Sequence, residues 1–103
     1  MTHPERIIET LRAHKHELEG LGVRHAALFG SAARGEMREG SDVDIAVTFA
    51  ETDAMKGAGY FGTWQAVADR LEGIFGGGVD LTDERMMRPA IRAAFESDSI
   101  RAF

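Results

Sequence analysis

"GSAARGEMREGSDVDIAV", Gly30 to Val47, sets a Gly-Ser pair and an Asp-x-Asp ahead of the most apolar run in the chain. That run, "DVDIAVTF" from Asp42 to Phe49, is dominated by β-branched and aromatic residues and reads as a strand. Residues i and i+2 of a strand point to the same face, so Asp42 and Asp44 project together, roughly 6–7 Å apart at their Cα atoms. Two unpaired carboxylates placed this way repel each other. A cation between them removes that cost, and Mg²⁺ takes hard oxygen ligands, with waters and substrate phosphates completing its shell. Gly30-Ser31 follows a second short apolar run, "VRHAALFG" (Val23 to Gly30), and precedes "AARGE", a short helical turn. Its backbone N–H groups and the Ser31 hydroxyl would face an anion there, and the glycine lets a phosphate come close to the backbone. Donors for phosphate and carboxylates for its metal make a nucleotide site together, whereas either half alone is no more than a turn.

Outward from this stretch, Ile7, Ile8, Leu11, Leu18 and Leu21 fall at helical spacing between Pro4 and Gly20, predicting one amphipathic helix stopped by Gly20 and Gly22. Residues Ala50 to Gly62 have no period and several glycines, the pattern of a loop. Thr63 is placed to cap a helix carrying Trp64, Val67, Leu71, Ile74 and Phe75 on one face and closed by Gly76, Gly77 and Gly78. "VDLTD" (Val79 to Asp83) reads as a third strand, and Pro89 to Glu96 as a last helix with Ile91 and Phe95 on a shared face. The expected fold class is α/β (α+β), a small mixed β-sheet with helices packed on it, as a single domain over residues 1–103.

Composition narrows the function. No run approaches the roughly 18 apolar residues of a membrane span, and the N-terminus lacks the pattern of a secretory signal, so the chain reads as soluble and cytoplasmic. The absence of cysteine excludes disulfides and thiolate metal sites, leaving oxygen or imidazole ligands. A formal net charge of -5 argues against a phosphate-backbone binder, so no direct nucleic-acid contact is expected. His3, His14, His16 and His25 are scattered away from the aspartates and read as surface residues. Met86 and Met87 read as packing or partner contacts, and Ile100 and Phe103 as apolar residues available to dock a partner.

The Gly-Ser and Asp-x-Asp, separated by about ten residues, resemble the signature of the DNA polymerase β-type nucleotidyltransferase superfamily. The small size and the full "GSAARGE…SDVDIAV" text resemble its minimal nucleotidyltransferases, or MNT domains, and the likeness reaches "VDL" at Val79 to Leu81 and "MRPAIRAAF". The resemblance implies a polymerase β palm-like fold. Asp42, Asp44 and Asp80 would then be both the catalytic carboxylates and the ligands of Mg²⁺, two ions by analogy, with Asp80 able to take a proton from the attacking hydroxyl. Strand parity favours Asp80 over Asp83 or Glu84. Gly30 and Ser31 would hold the β- and γ-phosphates of ATP. Arg34 is a further nucleotide-binding candidate, the alternative being that it holds Glu36 or Glu39. Ser41 is grouped with them as a turn or cap residue rather than a reactant. A base-stacking role for Trp64 stands against its placement at core spacing.

MNT domains are antitoxins paired with HEPN-domain RNase toxins, and some transfer AMP from ATP onto a tyrosine of that partner. The resemblance thus implies a Mg²⁺-dependent protein adenylyltransferase with a HEPN-domain toxin as partner in a hetero-oligomer. The alternatives are an antitoxin that acts by occlusion without chemistry, and a nucleotidyltransferase subunit for a small-molecule or RNA acceptor.

Overall fold

The computed structural model describes residues 3–36, 42–51 and 57–103. The elements run α1 (Pro4–Ala13), α2 (Lys15–Gly20), β1 (Val23–Leu28), α3 (Gly30–Ala33), β2 (Val43–Phe49), α4 (Ala58–Phe75), β3 (Val79–Asp83), α5 (Pro89–Asp98) and β4 (Ile100–Arg101), with a 3₁₀ turn at Glu84–Met86. The four strands form one mixed sheet in the order β3-β2-β1-β4. β1 runs antiparallel to β2 and β4, while β2 and β3 are parallel, as strands joined by a crossover helix must be. The small mixed sheet with packed helices is the fold class expected from the sequence.

Alternation along β2 divides the work between the two faces of the sheet. Val43, Ile45, Val47 and Phe49 point to one side and join Ile7, Ile8 and Leu11 of α1, Leu18 of α2, and Val67, Ala68 and Leu71 of α4 in the main core. Ile45, Val47 and Phe49 are 0–1% exposed, and burying each side chain contributes about 1.5–3 kcal/mol. The opposite face carries a smaller cluster of Ala27, Phe29, Ala46 and Phe95, where the Phe29 and Phe95 rings meet edge to face at 5.9 Å. Thus α5 covers only part of that face, and Asp44 and Thr48 share it with Ala46.

The expected single N-terminal helix is two, because the backbone leaves helical geometry at His14 (φ -102°, ψ 13°), whose ring pairs with Glu17 at 2.9 Å. α4 begins at Ala58, five residues before the expected cap, so Thr63 lies inside it. Tertiary anchoring overrides the low helix propensity of the glycines. Tyr60 packs edge to face on Phe49 at 5.8 Å and donates its hydroxyl to Asp83 at 2.7 Å. Residues 52–56 of the expected loop lie outside the described residues.

At the C-terminus, Ile100–Arg101 adds a strand the sequence reading did not contain. Phe103 is half-buried against the main core, and its backbone pairs with Ala26, so it contributes to the chain's own fold. His25 is not a surface residue either: it is half-buried in β1, with a buried Nδ1 that has no hydrogen-bond partner among the described residues.

Asp83 is 5% exposed and is satisfied by the Tyr60 hydroxyl and by the Arg85 backbone N–H at 3.0 Å. Burial and the hydrogen bond to Asp83 push the Tyr60 phenol up to about 12. Tyr60→Phe is expected to lower stability by about 1–2 kcal/mol, the worth of a hydrogen bond to a buried charge with one partner remaining. An unchanged midpoint in urea unfolding would show that this bond does not anchor α4.

Candidate functional site

The carboxylates meet because of register. Asp44 of β2 pairs with Asp80 of β3 across the parallel ladder, and Asp42 sits one residue ahead of β2. Neighbouring strands lie about 4.8 Å apart, and residues paired in a ladder face the same way. Asp44 and Asp80 therefore project together from the face partly covered by α5. Asp83 has the opposite parity and turns toward α4, where Tyr60 holds it.

Two glycines make this crowding possible. The Phe29 N–H donates to the Asp44 carbonyl at 3.1 Å, which brings the turn into α3 alongside Asp44. Gly30 there has φ +68°, and a Cβ on it would stand 2.5 Å from Asp44 Oδ2. On the other side, a Cβ on Gly78 would collide with Asp42 Oδ1. Each aspartate thus lies against a backbone that only glycine leaves open.

Electrostatics set the Asp44 carboxyl apart. Burial, then the charge of Asp80 and a hydrogen bond with it, then the charge of Asp42, push it up to about 6, with Arg34 opposing weakly. A cation bound here would relieve that repulsion, and oxygen donors of this kind suit Mg²⁺. Among the described residues no three His, Asp or Glu side chains converge into a ready-made metal cage. The donor set still fits a nucleotide-borne Mg²⁺, which keeps several waters and takes one or two carboxylates plus substrate phosphates.

Beside Asp44 and Asp80 opens a cleft of about 410 Å³. Thr82 and Arg88 add to its polar lining, and Phe29, Met86, Met87 and Ile91 supply apolar surface.

The remaining candidates fall differently. Ser31 sits in the first turn of α3, next to Gly30. Arg34 reaches Glu36 Oε2 at 3.1 Å and Asp98 Oδ2 at 3.3 Å, tying α3 to the end of α5. Ser41 lies outside the described residues, as does Glu39. Trp64 packs on the main core, across the sheet from the carboxylates, so it is not brought to them. Sequence reasoning missed Gly78, whose only signal was a glycine run longer than a helix end needs. It also missed the cleft wall from Met86 to Ile91, because the 3₁₀ turn that aims it has no periodic signature.

The sequence pattern of the family described as polymerase beta, nucleotidyltransferase matches residues 5–98. A protein adenylyltransferase of Thermococcus cleftensis, MntA, is 39% identical over 88 residues, covering 84% of this chain and 83% of its own length. A Methanocaldococcus jannaschii protein whose name makes the same assignment is 40% identical over 96 residues, covering 91% of this chain and 92% of its own. Among solved structures, a chain from the complex of a tri-AMPylated Shewanella oneidensis HEPN toxin with an MNT antitoxin superposes with a TM-score of 0.61 at 19% identity, covering 93% of this chain and 71% of that one, which is a likeness of fold. Among the described residues no helix is long and apolar enough to cross a membrane.

The raised Asp44 carboxyl makes stability depend on pH in a defined direction. The native carboxyl keeps its proton to about pH 6, whereas its ordinary value is 3.8, so the native state binds more protons between them. The stability Asp44 allows is whole below about pH 4 and is lost as pH rises through 6. Asp44→Asn should therefore raise the Tm at pH 7.5 by a few degrees, about 1 kcal/mol once solvent screening is discounted, and the gain should vanish below pH 4. Differential scanning fluorimetry across pH checks this; a variant less stable than wild type at pH 7.5 would contradict the crowding.

Proposed function

Because the chain belongs to the polymerase beta nucleotidyltransferase family, we propose that it is a protein adenylyltransferase that moves AMP from ATP to a tyrosine hydroxyl of a partner HEPN-domain RNase toxin, acting as the antitoxin of that pair. The observation that carries this reading is the register pairing of Asp44 with Asp80 beside the Gly30-Ser31 turn, in a chain whose relatives bear the protein adenylyltransferase name. In the same reading residues 1–103 act as one catalytic domain in the cytoplasm, without direct nucleic-acid contact.

Each group has a role that its surroundings suit. Gly30 and Ser31 hold the β- and γ-phosphates through backbone N–H groups and the hydroxyl, with Ser41 in the turn ahead of β2. Asp42, Asp44 and Asp80 would hold Mg²⁺, two ions on the family pattern, which when bound neutralises the triphosphate and stabilises the leaving pyrophosphate. Asp80, exposed at the strand start, accepts the proton of the acceptor hydroxyl. The hydroxyl oxygen then bonds to the α-phosphorus as the bond to pyrophosphate breaks. Arg34 has two carboxylate partners already, and exchanging one of them for a γ-phosphate oxygen would serve the same turn.

The test is transfer itself. Incubated with labelled ATP, Mg²⁺ and the co-expressed neighbouring protein, the wild type should label the partner on tyrosine, as read by gel and mass spectrometry. Asp42→Asn/Asp44→Asn should cut this by about 100-fold or more. A stable complex with no label in either case would replace the enzyme with an antitoxin that acts by occlusion.

A further inference from the structure

Adenylyl transfer as described leaves one wall of the carboxylate cleft without a role. Met86 is 72% exposed and Ile91 47% exposed, two of the four exposed large apolar side chains among the described residues, and both line the cleft that contains Asp44 and Asp80. Exposed apolar side chains gathered at the wall of one cleft, rather than scattered singly, suit a recognition surface. The wall is also held in place. Arg92 of α5 donates to the Glu84 carbonyl, and Thr48 of β2 donates to Glu84 Oε2 at 2.9 Å, so the 3₁₀ turn bearing Met86 and the helix bearing Ile91 are fastened to each other and to the sheet. Phe29 and Met87 back the cleft from the smaller cluster.

We infer that Met86 and Ile91 are specificity-determining residues that grip the ring of an aromatic hydroxyl acceptor and so select a phenol over an aliphatic alcohol. This rests on the adenylyl-transfer reading of the same site. A transferable hydroxyl has to arrive beside Asp44 and Asp80, and the same cleft is lined by two thioethers, a branched alkyl chain and a phenyl ring, with Thr82 and Arg88 as its other polar groups. A phenol matches this lining, with one polar atom at the carboxylate end and a flat apolar body against sulfur and methyl groups. A serine or threonine hydroxyl reaches the same carboxylates only by leaving the wall wet. A nucleobase fits less well. Its edge carries several donors and acceptors, its acceptor nitrogens would face carboxylates, and only Thr82 and Arg88 remain to answer them.

The full chain labelled with ¹³C at its methionine methyls provides the test, with N-acetyl-tyrosinamide, N-acetyl-serinamide and Mg²⁺ with α,β-methylene-ATP as the added probes. Tyrosinamide should displace the Met86 and Met87 methyl resonances by ring current, with or without the nucleotide analogue, and serinamide should not. Displacement by the nucleotide that excludes tyrosinamide would hand the wall to the base, and no displacement by tyrosinamide would overturn the inference outright. Met86→Ala/Ile91→Ala, at exposed positions, should lower AMP transfer to tyrosinamide by about tenfold, within the range a few apolar groups supply, while analogue affinity stays within about twofold. Equal transfer by this variant would count against the wall. Methyl displacement in a protein that transfers nothing would sink the adenylyl-transfer reading alone, and transfer with unmoved methyls would sink only the acceptor wall.

Discussion

Like charges held together on a rigid ladder are the constraint around which the rest of this structure is arranged. Asp44 faces Asp80 because β2 and β3 are paired in register, which sets their Cα atoms side by side with both side chains on one face of the sheet. The crowding goes with an Asp44 carboxyl raised to about 6 and with glycines at 30 and 78, where a Cβ would press on Asp44 and on Asp42. A cation bound between these carboxylates would relieve the repulsion.

Stability comes from the other side of the sheet. Ile45, Val47 and Phe49 alternate with Asp44, Ala46 and Thr48 along β2, and α1, α2 and α4 close over them. The buried Asp83 belongs to this side as well, and its hydrogen bonds tie the start of α4 to the end of the strand that carries Asp80. The opposite face is half open, and its partial cover, α5, leaves the cleft over the carboxylates. Packing and the carboxylate cleft therefore make few competing demands on the same side chains.

Much of this was legible in the sequence, because it depends on period two. Asp42, Asp44 and the apolar Ile45, Val47 and Phe49 announce a strand with one polar and one buried face, and the parity of "VDLTD" separates Asp80 from Asp83. The Gly-Ser turn before a helical stretch was equally plain. What escaped is tertiary. The start of α4 depends on Tyr60 finding Phe49 and Asp83, a contact across about twenty residues that no local propensity contains. Gly78 reads as part of a helix stop, and its second role comes from Asp42 lying against it. β4 is two residues long, too short to show alternation, and exists because β1 offers it an edge. The choice left open for Arg34 turned on distance, and α5 supplied Asp98 as a partner that spacing could not reveal.

The most direct measurement of the central claim is the titration of the Asp44 side chain by ¹³C NMR of the carboxyl, with and without Mg²⁺ and α,β-methylene-ATP. The account predicts a midpoint near 6 in the free protein, carried well down when the cation and nucleotide bind. An Asp44 that titrates in the ordinary carboxylate range and ignores both additions would contradict it, since the aspartates would then be neither crowded nor a cation site.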